Sequence, residues 1–69
     1  MKISARNIIK GTVAAIEKGA TTAHVKIEIM PGQIVTAAVT NEAVDSLKLV
    51  VGGPAYAVIK AADVMVAVD

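Results

Sequence analysis

Sixty-nine residues without a cysteine predict one small domain spanning 1–69, near the size where a single core is only marginally stabilising, and exclude disulfides and thiolate metal sites. Hydrophobic residues make up 55% of the chain and mean hydropathy is +0.65, high for a small monomer, so association with further copies is the expected remedy. The net charge of +1 argues against a long polyanion as partner. No apolar run reaches the length of a membrane helix and the N-terminus lacks a signal-peptide pattern, which predicts a cytoplasmic protein without a membrane partner.

Valine and isoleucine dominate the apolar set, leucine occurs only at Leu47 and Leu49, and Phe and Trp are absent. β-branched side chains are stiff at χ1 and pack well on pleated sheets, so this is a strand composition. The abundant alanines point to close approach between layers or between subunits.

In chain order, Ser4-Ala5-Arg6-Asn7 comes first and holds the only arginine. A guanidinium is a planar, permanently charged fork of donors suited to gripping an oxyanion, and an extended segment places the Ser4 hydroxyl on the same side. Ile8 to Glu17 reads as a first strand, with Ile9, Val13 and Ala15 on one face and Lys10, Thr12 and Ile16 on the other. Gly11 in its middle reads as a bulge or bend, and Gly19 as the positive-φ residue of the following turn. Thr21 to Met30 is a second strand in which Ala23, Val25, Ile27 and Ile29 alternate with polar residues. Pro31-Gly32 supplies the centre of a type II turn, and Gln33 to Val39 returns as a third strand with Val35, Ala37 and Val39 inward.

Thr40-Asn41-Glu42 reads as a helix start, a capping hydroxyl followed by a carboxylate near the positive end of the dipole. The helix is expected to reach about Leu49, to face the core with Val44, Leu47 and Val51, and to be stopped by Gly52-Gly53-Pro54. A fourth strand follows from about Ala55 to Lys60, then a tight turn at Ala61-Ala62-Asp63. Val64 to Val68 reads as a fifth strand, apolar on both faces and therefore suited to a central position or a subunit interface. Three strands, a helix and two strands is the order of an all-β, OB-type five-stranded barrel with one short helix, with an SH3-like barrel as second choice.

An enzyme is not expected. His24 lies on the polar face of its strand without a Ser or Asp placed to work with it, the acidic residues are scattered singly, and no glycine pattern cradles a phosphate. Nucleic acid is not the expected partner either, because the sole aromatic is Tyr56 and the lysines are spread around the fold, so no stacking platform exists. A small oxyanion fits better. Lys60 beside the small residues Ala61 and Ala62 offers a cation and exposed N–H donors, and Thr40 adds a hydroxyl at a helix start. A tetrahedral dianion wants several convergent donors and no nearby carboxylate.

Ile3-Ser4-Ala5-Arg6-Asn7, Gly11-Thr12-Val13, Val39-Thr40 before an acidic helix start, and Ile59-Lys60-Ala61 together resemble, in order, the molbindins, small molybdenum-pterin-binding proteins whose unit also occurs at the C-terminus of molybdate-responsive regulators and transport ATPases. The resemblance covers essentially the whole chain, and the match in length points to a stand-alone molbindin. It implies an OB-type barrel assembled as a homohexamer, a trimer of dimers, that binds molybdate or tungstate between subunits for storage and intracellular buffering, with no redox cofactor and no metal ligated by side chains. Carried over by position, Ser4 and Arg6 donate to the oxyanion from one subunit, while Thr40, Lys60 and the backbone of Ala61 and Ala62 complete the shell, partly from a neighbour. Asn7 matches the motif as well. Many relatives carry a serine shortly after the lysine, where this chain has Ala61-Ala62, so its donor there is a backbone N–H. The alternative role is a molybdate-sensing module that docks on a regulator or a cofactor-synthesis enzyme. A pterin ligand, suggested by the older family name, lacks the aromatic pocket residues a ring would need.

Overall fold

The computed structural model describes residues 1–69. Its elements are β1 (Asn7–Lys18), β2 (Thr22–Met30), β3 (Gln33–Thr40), the helix α1 (Asn41–Ser46), β4 (Pro54–Ile59) and a single 3-10 turn at Ala61–Asp63. All strand pairs are antiparallel, in one four-stranded sheet of order β3-β2-β1-β4. The sheet curls strongly: β3 and β4, its two edges, both line a groove of about 340 Å³ through Val35, Ala37 and Val39 on one side and Tyr56, Ala57 and Val58 on the other. No ladder joins those edges, so the chain forms an open half-barrel.

The core lies on the concave face. Val13, Ala23, Val25, Ile27, Val44 and Ala57 are buried, with Ile9, Ile16, Val35, Val39 and Leu49 packed against them. The alternation in β2 delivers this directly, because a period of two sends every second side chain inward. Gly32 at φ +79° completes the β2–β3 turn, where Met30 pairs with Gln33. Gly19, by contrast, keeps a negative φ, its N–H donating to the Thr22 carbonyl at 2.8 Å.

Four further expectations need correction. Gly11 is not the bulge; a Cβ there would stand 2.5 Å from the Glu28 carbonyl oxygen and 2.7 Å from Ile27 Cγ2, so it is a point of close approach between strands. The bulge in β1 falls at Ala14 instead, since Val13 pairs with Ile27 and Ala15 with Lys26. That extra residue swaps the faces, and Ile16, expected outside, pairs with Val25 and packs on the core. The helix stops at Ser46 rather than Leu49, because Lys48 adopts the left-handed region at φ 54° and closes the last turn with its N–H donating to the Asp45 carbonyl. Leu47 and Val51 are consequently exposed, and Leu49 takes the inward place.

The fourth correction concerns the fifth strand. Residues 64–69 form no strand within this chain, and Met65, Val66 and Val68 are at least 90% exposed. After the 3-10 turn the chain leaves both free edges of the sheet, so this apolar segment has no ladder of its own to join. Gly52 and Gly53 meanwhile latch the preceding loop to β1: the Gly52 N–H donates to the Val13 carbonyl at 2.8 Å and the Val13 N–H to the Gly53 carbonyl at 2.9 Å.

Candidate functional site

The antiparallel register of β1 and β4 assembles the site. Asn7 pairs with Ile59 at the last rung of that ladder. One step beyond it, the residue entering β1 is Arg6 and the residue leaving β4 is Lys60, so two cations distant in sequence face a common space. The Asn7 side chain fastens this end, its Nδ2 donating to the Ile59 carbonyl at 3.2 Å. Asn7 thereby pins this end of the ladder with one of its two amide N–H donors.

A cleft of about 670 Å³ opens there, lined by Ser4, Arg6, Lys60, Ala61, Ala62 and Asp63 together with Ile3, Ala5 and Val58. Five of the seven residues expected from the sequence thus share one cavity. Neither cation is neutralised: the ion pairs of the fold are Lys18–Asp45 and Lys26–Glu17, both elsewhere. The 3-10 turn uses the N–H groups of Asp63 and Val64, which donate to the carbonyls of Lys60 and Ala61 at 2.9 and 3.3 Å. Its first two N–H groups, on Ala61 and Ala62, have no acceptor within the turn, as at the start of any helical turn. A cleft lined by two cationic residues, a serine and two residues with N–H groups unused by the turn can receive a small multivalent anion. No side-chain cluster elsewhere brings together three or more metal-ligating groups.

Thr40 is not in the cleft. It ends β3 opposite Thr22, near the Lys18 end of β1, whereas the cleft lies at the Asn7 end. There it caps α1, with an extended backbone (φ −71°, ψ 152°) and its Oγ1 accepting from the Ala43 N–H at 3.0 Å. The hydroxyl proton remains available to a further acceptor, because the cap uses only a lone pair. Asn41 anchors this corner: its N–H donates to the Thr21 carbonyl at 2.9 Å and its Nδ2 to the Gly19 carbonyl at 3.0 Å.

The sequence reading missed Asp63. It lines the cleft beside the two cations, against the expectation of a shell free of carboxylates. The available signal was its place three residues after Lys60, one turn of a 3-10 helix, which returns a side chain to the same side.

The TOBE domain model matches residues 3–66. Over all 69 residues of both chains the sequence is 51% identical to the probable molybdenum-pterin-binding protein of Haemophilus influenzae. The fold superposes on the molybdate binding protein from Sporomusa ovata with a TM-score of 0.89 at 37% identity, covering 97% of this chain and 98% of that one. It is also similar to ModG, described as a cytoplasmic molybdate-binding protein and solved with molybdate bound, with a TM-score of 0.83 at 49% identity over 88% of this chain and 43% of that one.

Proposed function

The chain belongs to the TOBE-domain family, and from that premise we propose that it binds molybdate or tungstate in the Ser4–Arg6–Lys60 cleft, as a storage and buffering protein of the cytoplasm with no catalytic role. The observation that carries this reading is the convergence of two un-neutralised cations, the Ser4 hydroxyl and the Ala61 and Ala62 N–H groups on one cavity. Molybdate is fully ionised at neutral pH and accepts hydrogen bonds without donating any, so a shell of donors matches it. The cleft has no aromatic lining, Tyr56 facing the apolar grooves instead, which favours a bare oxyanion over a pterin ring. That relatives matching this chain end to end are molybdenum-pterin-binding and molybdate-binding proteins supports the same ligand.

The site is shared between copies of the single domain 1–69 in a homohexamer, a trimer of dimers. Thr40 lies at the opposite end of β1 from the cleft, so its free hydroxyl proton reaches a bound anion only from a neighbouring copy. Unpaired edges on β3 and β4, the apolar groove between them and the uncovered segment Val64–Val68 supply the surface for that association.

Native mass spectrometry with and without molybdate, joined to calorimetry, tests both parts. Wild type should appear as a hexamer carrying molybdate, and Arg6→Ala should lose about 1.5–3 kcal/mol of anion affinity, the usual worth of a charge-assisted hydrogen bond, with its fold intact. Equal affinity in the two proteins would remove the assignment of the site.

A further inference from the structure

Asp63 is the one acidic side chain on the cleft, and nothing in the fold explains it as scaffolding. Its carboxylate makes no ion pair with Arg6 or Lys60 and accepts no hydrogen bond, while its backbone N–H alone closes the 3-10 turn. The turn would form equally well with a neutral residue, since the contact to the Lys60 carbonyl is made by main chain. A negative charge nevertheless lines a cavity whose other polar side chains, Ser4, Arg6 and Lys60, can all donate.

We propose that Asp63 is an affinity-limiting residue: its carboxylate opposes the charge of a bound dianion and so keeps the site exchangeable. This rests on the oxyanion reading above. With Arg6 and Lys60 alone the cleft would match a dianion charge for charge; Asp63 leaves the occupied site with a net negative charge. Like charges brought together across a binding site weaken the complex. A buffering site works where Kd lies near the working free concentration, and a weaker hold moves that range upward.

The test is calorimetry and stopped-flow release with molybdate on wild type, Asp63→Asn, Asp63→Glu and, as a control acid distant from the cleft, Glu28→Gln. At low ionic strength Asp63→Asn should bind roughly fivefold more tightly, the scale of one like charge against a dianion across a solvated cleft, through faster association, slower release or both. Asp63→Glu and Glu28→Gln should stay near wild type. The gain should shrink towards nothing in about 1 M salt, where screening acts over about 3 Å. If Asp63→Asn binds no more tightly than wild type at low salt, or if its gain persists unchanged in high salt, the proposal is wrong. If Arg6→Ala matches wild type in the same series, or wild type takes up no molybdate, the oxyanion reading itself has failed and this inference falls with it.

Discussion

β2 buries Ala23, Val25 and Ile27 to 5% exposure or less, whereas Met65, Val66 and Val68, drawn from an equally apolar stretch, stay at least 90% exposed. Hydrophobicity does not separate the two segments. What differs is the backbone: β2 lies between β1 and β3 with both rows of its peptide groups paired, and the C-terminal segment has no neighbour on either side. In a chain this small there is too little sheet to enclose every apolar strand, so the central ladder takes the core and the ends stay uncovered within one chain. The chemistry follows the same division. Ser4, Arg6, Lys60 and Asp63 sit where the β1–β4 ladder stops, one step beyond its last pair.

The sharpest way to break this contrast is to disturb the tight ladder at Gly11. Gly11→Ala would place a Cβ 2.5 Å from the Glu28 carbonyl oxygen, a backbone atom that cannot rotate aside. The β1 and β2 strands must then separate locally, at a cost of about 3 kcal/mol, the upper part of the range for overpacking. Chemical denaturation should register that loss. A stability within about 0.5 kcal/mol of wild type, the range of ordinary surface substitutions, would mean that the strands are less closely apposed than described.

How far the sequence disclosed this arrangement depended on how much each residue constrained its neighbours. The β2–β3 hairpin was legible because alternation marks both strands and Pro31-Gly32 marks the turn, while the one-residue register shift at Ile29 carries no sequence mark. The swap of faces in β1 was not, because Ala14 and Ala15 fit either face and nothing marks which is the extra residue. The helix end was hidden because Lys48, not a glycine, takes the left-handed conformation. The fifth strand was read from composition, which records apolarity but not whether a partner edge lies within reach. For the site, Arg6 and Lys60 were individually suggestive, and only the β1–β4 register makes them neighbours. Asp63 escaped because a single acid in a turn ordinarily reads as solvated surface.

Thr40 offers a subtler test, since it belongs to the packed half by its cap and, in the proposed shared site, to the ligand half by its spare proton. Thr40→Ala removes the acceptor for the Ala43 N–H and should cost about 1 kcal/mol of stability. Thr40→Asp keeps an acceptor of equal or better capping quality and adds a negative charge next to the helix start. It should therefore retain wild-type stability while weakening molybdate binding, and denaturation and calorimetry on one preparation would separate the two roles. If Thr40→Asp binds molybdate as wild type does, Thr40 is a cap alone and no neighbour brings it to the anion.

The smallest effect is expected at Lys18, whose Nζ stands 2.8 Å from Asp45 Oδ1 and ties the end of β1 to α1. By distance this is the strongest ion pair of the fold, yet its side chains are 46% and 70% exposed. Water screens both charges, and ordering two surface side chains costs much of what the pairing returns. Lys18→Ala should therefore change stability by no more than about 0.5 kcal/mol, less still in high salt. A loss above about 1 kcal/mol would show that α1 is held to the sheet by charge rather than by Val44, the one buried side chain it contributes. That result would blur the line between ladder and ends, because a surface contact would then be holding part of the core in place.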